Sequence, residues 1–186
     1  MKKHGTFTLI LMAIMSLALF STACEDQKKI DEANKFVDSA NEKADEVKGL
    51  VSKAASTFEG INSKLNDFEE DKAANEGELK ELVKSYDKIL GLQSGIASDY
   101  TEAAKLNANE KFKAYYEMSA KDAQKTGEVI GQSKAAAQAI LDSNDFDSFK
   151  TKMDGITAKS DSLKKESDGL RAQLTKLEAD VKALNK

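Results

Sequence analysis

Three side chains stand alone in this sequence: Cys24 is its one cysteine, His4 its one histidine and Arg171 its one arginine. A single thiol cannot close a disulfide within the chain, so packing must hold the fold. Its chemistry is that of a nucleophile, open to oxidation or acylation. Small residues, Ser21-Thr22-Ala23, precede it. His4 ends a short basic start, Met1-Lys2-Lys3-His4, and an apolar run of 14 residues from Phe7 to Phe20 follows. Positive end, apolar middle and small residues at a cut site have the order of a secretory signal peptide. The apolar run is too short to cross a bilayer core, which takes about 20 residues. Cleavage between Ala23 and Cys24 removes the histidine and makes the thiol the first mature side chain.

Ser21-Thr22-Ala23-Cys24 resembles the lipobox of bacterial lipoproteins, and the resemblance covers only this N-terminal segment. It implies that Cys24 receives diacylglycerol, that the signal is cut before it, and that the new amine is open to acylation. One residue departs from the pattern, since the third position before the cysteine is usually Leu and here is Ser21. Ordinary signal peptidase cleavage cuts the same bond and leaves an exported free thiol. Each buried methylene of an acyl chain contributes about 0.8 kcal/mol, so one chain holds reversibly and two or three hold firmly. The resemblance places the chain in a bacterial cell envelope. Glu25 is a near match to the acidic residue that keeps some lipoproteins at the inner membrane, and it leaves the choice of membrane open.

Without residues 1–23 the chain loses Lys2 and Lys3 from its 28 basic residues and none of its 32 acidic ones, leaving 26 against 32 and a net charge of −6. With one arginine and no basic stripe, nucleic-acid binding is disfavoured. A mature chain without histidine, its cysteine acylated, lacks the usual bases, thiol nucleophiles and imidazole ligands, so no enzyme activity, cofactor or metal is expected. Asp142, Asn144, Asp145 and Asp147 crowd one stretch, but a calcium loop would place Phe146 at its fifth position and Met153 at its twelfth. That fails the oxygen-ligand pattern, and helix capping explains the cluster.

The elements that carry these residues are helical. Apolar residues recur in steps of three and four through Ile30, Ala33, Val37, Ala40, Ala44, Val47, Val51, Ala54, Phe58, Ile61, Leu65 and Phe68, a heptad seam over about 26–69. The polar stretch 70–77 reads as the first turn, with Asn75 and Glu78 as a loose capping box. A second run spans about 78–106 (Leu79, Leu82, Tyr86, Ile89, Gln93, Ile96, Tyr100, Ala103). A third spans about 109–141, with a small and hydroxylated seam and Asn107 as its expected cap. A fourth spans about 145–185, its seam running from Phe146 and Phe149 through Leu163 and Leu174 to Leu184. No proline interrupts any of them.

The fold class is therefore all-α: an elongated antiparallel four-helix bundle or coiled coil, one domain over 24–186, with long first and last helices. Ile30, Ala33 and Val37 are expected to meet Leu177, Val181 and Leu184 in a stem beside the lipid. The rival topology fuses the second and third runs into one rod. Gly91 with Gly95 and Gly127 with Gly131 read as soft spots, close backbone approach being the alternative. Phe112, Tyr115, Tyr116, Phe146 and Phe149 are expected to plug the bundle ends.

The expected function is that of a membrane-anchored, non-enzymatic structural or protein-binding module. The membrane is held through Cys24, with an envelope protein or a second copy as partner. Tyr115 and Tyr116, beside the small seam of the third run, mark the candidate partner face. Alternatives are a surface-displayed adhesin or host-ligand binder, and, from another class, an enzyme or small-ligand carrier with a site inside the bundle. Lys186 invites comparison with wall-linked lipoproteins that end in lysine, although a bundle would turn it back toward the membrane.

Overall fold

In a computed structural model of the protein, residues 27–64 and 67–184 are described; the readings at Ala23, Cys24, Leu65 and Lys186 lie outside them. Four helices follow one another: α1 (Gln27–Asn62), α2 (Phe68–Leu106), α3 (Glu110–Leu141) and α4 (Phe146–Ala183). No strand occurs among the described residues. The fold is an all-α bundle.

Cross-helix pairs fix antiparallel registers. Lys43 Nζ lies 2.5 Å from Asp99 Oδ2, and Lys88 Nζ lies 2.6 Å from Glu46 Oε1, between α1 and α2. Lys134 Nζ meets Asp87 Oδ1 at 2.5 Å between α3 and α2, and Lys125 Nζ meets Glu166 Oε2 at 2.9 Å between α3 and α4. The start of α1, the α2–α3 turn and the end of α4 thus share one end of the bundle. The other two turns share the far end.

The contiguous core forms where seams face each other. Ala33, Ala40, Val47, Ala54 and Ile61 of α1 pack with Leu79, Leu82, Ile89, Ile96 and Tyr100 of α2 and with Phe112, Tyr116, Ala123, Ile130, Ala137 and Ile140 of α3. From α4 this cluster takes Val181, with Phe149 packed at its edge, while Leu163 and Leu174 are buried apart from it.

Helices pack in chain order, α1 on α2, α2 on α3, α3 on α4, and most extensively in the middle pair. The stem of α1 against α4 expected from the sequence does not form as an extensive contact. Val37 and Leu177 are half-buried and Leu184 is 44% exposed. α4 docks chiefly on α3, meeting α2 through Phe146 and Phe149 against Phe68.

The first turn lies earlier than the polar stretch suggests. α1 stops at Asn62, and α2 begins at Phe68 rather than near residue 78, which makes it the longest helix, at 39 residues. Asp67 is its N-cap, accepting from Glu70 N at 3.4 Å, and Asp67 N donates to Asp71 Oδ2 at 2.9 Å. Glu69, Glu70 and Asp71 then sit in the first turn, where the helix dipole favours acids. Asn75 is not a cap. It is buried inside α2, its Nδ2 donating to Asp71 O at 2.7 Å.

The α2–α3 break is real, so the fused rod does not form. Asn109, not Asn107, caps α3 by accepting from Lys111 N, while Asn107 Oδ1 accepts from Asn109 N at 3.1 Å. At the third turn Asp145 caps α4 through Ser148 N at 2.7 Å. Lys72 of α2 reaches across to Ser143 O at 2.6 Å and ties that turn down.

Candidate functional site

The two turns at the far end are closed by rings. Phe68 stacks on Phe149 with centroids 5.2 Å apart and meets Phe146 edge-on at 6.1 Å. Phe146 is still 57% exposed, so this plug covers the core without being covered itself.

At the opposite end Tyr100 stacks on Tyr116 at 6.2 Å, Tyr115 leans edge-on against Tyr116 at 5.6 Å, and Phe112 lies beneath. The expected partner face therefore does not stand free. Tyr116 is buried, and Tyr115 is half-buried against the core, because the small α3 seam admits α2 and α4 as its neighbours. Burial pushes the Tyr116 phenol up to about 12, with the neighbouring Tyr115 adding to it. Tyr100 is raised further, chiefly by burial, and its hydroxyl is sealed without a hydrogen-bond partner.

One carboxylate is buried between α3 and α4. Asp122 is 1% exposed, and its Oδ1 lies 3.6 Å from Arg171 Nε, too far for a hydrogen bond. Burial raises its pKa, and the guanidinium opposes that rise without cancelling it. Ser119 and Ser167 are buried on the same contact, and Lys125 bridges Glu128 and Glu166 at its rim. A single carboxylate of this kind supplies neither an acid–base pair nor a metal cage. No group of three or more metal-ligating side chains occurs among the described residues.

The glycines divide. Gly91 and Gly131 face open space. A Cβ on Gly95 would come within 3.1 Å of Lys43 Cδ, so the missing side chain makes room for the lysine stem on its way to Asp99. A Cβ on Gly127 would lie 3.6 Å from Gln93 Cβ, an ordinary contact. No glycine among the described residues has positive φ, so none is there for backbone reasons.

Between α2 and α3 runs an open groove of about 480 Å³. Gln93, Ser94, Ala97, Ser98 and Thr101 line it from α2, and Ala123, Gln124 and Gly127 from α3. Gln93 was legible only as a polar residue in an apolar seam; the groove beside it was not. It is 7% exposed, and its amide has no hydrogen-bond partner among the described residues.

These features define a helical bundle with a polar cleft between α2 and α3. No protein-family profile, curated protein or solved structure matches the chain. No described helix is long and apolar enough to cross a membrane.

Proposed function

We propose that the protein is a lipid-anchored envelope lipoprotein whose helical bundle acts as a non-enzymatic structural or protein-binding module. One observation carries the reading: only Glu25 and Asp26 separate the lipobox cysteine from Gln27, which is already helical, so an acyl group on Cys24 would lie within two residues of the described bundle. An acyl group on Cys24 would hold the end of the bundle that carries the tyrosine cluster. The two turns closed by Phe68, Phe146 and Phe149 would then point away from the bilayer, at about 50 Å for α1's 36 residues. The apolar seams, the lone buried carboxylate and the paired surface charges suit a scaffold that presents a face.

Mass spectrometry of the N-terminal peptide from the native host tests the anchor. A diacylated or triacylated Cys24 is the expected product, and Cys24→Ser should move the protein from the membrane to the soluble fraction. An unmodified thiol in the native product overturns the reading. Crosslinking in intact envelopes followed by purification of the lipidated protein then identifies the partner.

A further inference from the structure

The groove between α2 and α3 is lined by small and polar side chains, of which Thr101 donates its hydroxyl to Ala97 O. Gln93 lines it while more than nine-tenths buried, with no partner for its amide among the described residues. Its amide atoms are not among the sealed ones, unlike the Tyr100 hydroxyl, so they open into the groove. Ser94, Ser98 and Gln124 line it without side-chain bonds of their own among the described residues. The amide thus faces the groove, where a ligand with a matching donor and acceptor can take the place of water.

The lining sets the class of that ligand. It carries no charged side chain, so a phosphate, carboxylate or ammonium would find no counter-ion there. One turn beyond Leu90, Asp87 and Lys134 neutralise each other. The lining holds no aromatic ring, so a sugar or a base would lack a stacking platform. Gly127, Ala97 and Ala123 are small, so a backbone can come close to the lining. A primary amide offers a donor and an acceptor in one plane, the complement of a peptide unit. From Leu90 to Thr101 the α2 side of the groove follows about 16 Å of helix, and from Ala123 to Gly127 the α3 side follows about 6 Å. The longer side matches about five extended residues at roughly 3.3 Å each.

We infer that the α2–α3 groove binds an extended, uncharged peptide segment with small side chains, its backbone paired to the Gln93 amide. The inference rests on the binding-module reading and supplies that module with a site and a class of partner.

The test is a two-dimensional NMR titration of the full-length chain in detergent micelles with an array of end-blocked pentapeptides of Gly, Ala, Ser, Thr and Asn. Shifts should gather on residues 90–101 and 123–127 and on the Gln93 side-chain amide. Gln93→Leu should weaken binding at least tenfold. Ser98→Leu changes an exposed position, so it leaves the fold intact and should abolish binding by filling the groove. Three results overturn the inference: no groove shifts with any peptide at millimolar concentration, unchanged affinity in a folded Ser98→Leu variant, or groove shifts produced by maltotriose and not by peptides. Since the titration does not depend on what is attached to Cys24, failure of the lipid reading leaves its outcome untouched.

Discussion

Asp122→Asn should leave the protein as stable at pH 7 as it was, or more stable, although it removes one half of an ion pair. At 3.6 Å, two unit charges attract by about 4.6 kcal/mol at an effective dielectric of 20 and by about 1.2 kcal/mol in water. Arg171 is 33% exposed, so solvent screening pulls the attraction toward the lower figure, about 1–2 kcal/mol. Asp122 is 1% exposed and lacks a hydrogen bond to Oδ1, and its raised pKa means that burial outweighs the arginine. Asparagine keeps the shape without the charge. Arg171→Met strands the carboxylate and should cost about 1–2 kcal/mol, an effect that should fall to within about 0.5 kcal/mol once Asp122 is Asn. The pH dependence follows from the direction of the shift. A carboxyl with a raised folded-state pKa takes its proton in the native state first as pH falls. It therefore adds stability at low pH, and that stability is lost as pH rises through the raised value. Urea unfolding followed by circular dichroism between pH 4 and 7 reads this as a difference in slope between wild type and Asp122→Asn, since the other carboxylates are common to both. A loss above about 2 kcal/mol at pH 7 in Asp122→Asn, or identical slopes, would refute the reasoning.

All four tyrosines have raised pKa values, with burial the largest cause at each. Absorbance at 295 nm should therefore show little tyrosinate near pH 10 in the native state. Above that pH the unfolded chain ionises first, so stability falls until the folded values are passed, and tyrosinate should appear together with loss of helix. Gly91→Ala, facing open space, should raise stability by about 1 kcal/mol from helix propensity alone. Gly95→Ala should gain less, because the new methyl forces the Lys43 stem aside and loosens its contact with Asp99; thermal denaturation compares the two. Phe68→Ala, which removes the ring stacked on Phe149, should cost about 3 kcal/mol and increase amide exchange in the two far-end turns.

Helix number, order and antiparallel sense were legible in the sequence because the three–four spacing of apolar residues is a direct image of a buried stripe. It runs from Ala33 to Ile61 and again from Leu79 to Ala103; the structure buries the second series whole and the first apart from Val37, Ala44 and Phe58, which are half-buried. The first turn was not legible. The seam of α2 continues backwards through Asn75 and Lys72, polar residues that pair locally, Asn75 with Asp71 O and Lys72 with Ser143 O, so the pattern looked broken where the helix was whole. The neighbour relations of α4 were hidden for another reason. Spacing tells which face is buried but not what covers it, and α4 is covered by α3 through serines and an ion pair rather than by α1. Tyr115 and Tyr116 were visible as a pair, yet only the packed structure turns Tyr116 inward onto Tyr100. The cleft over Gln93 depends on the relative heights of two helices, which no single seam encodes.

Because each helix leans chiefly on the one just before it, nearly every long-lived contact joins segments separated by a single short bend. Such a chain can assemble progressively, one hairpin closing on the last, and need not wait for its two ends to find each other. Removing the final helix should therefore leave the earlier three standing, whereas cutting out the second would scatter everything downstream.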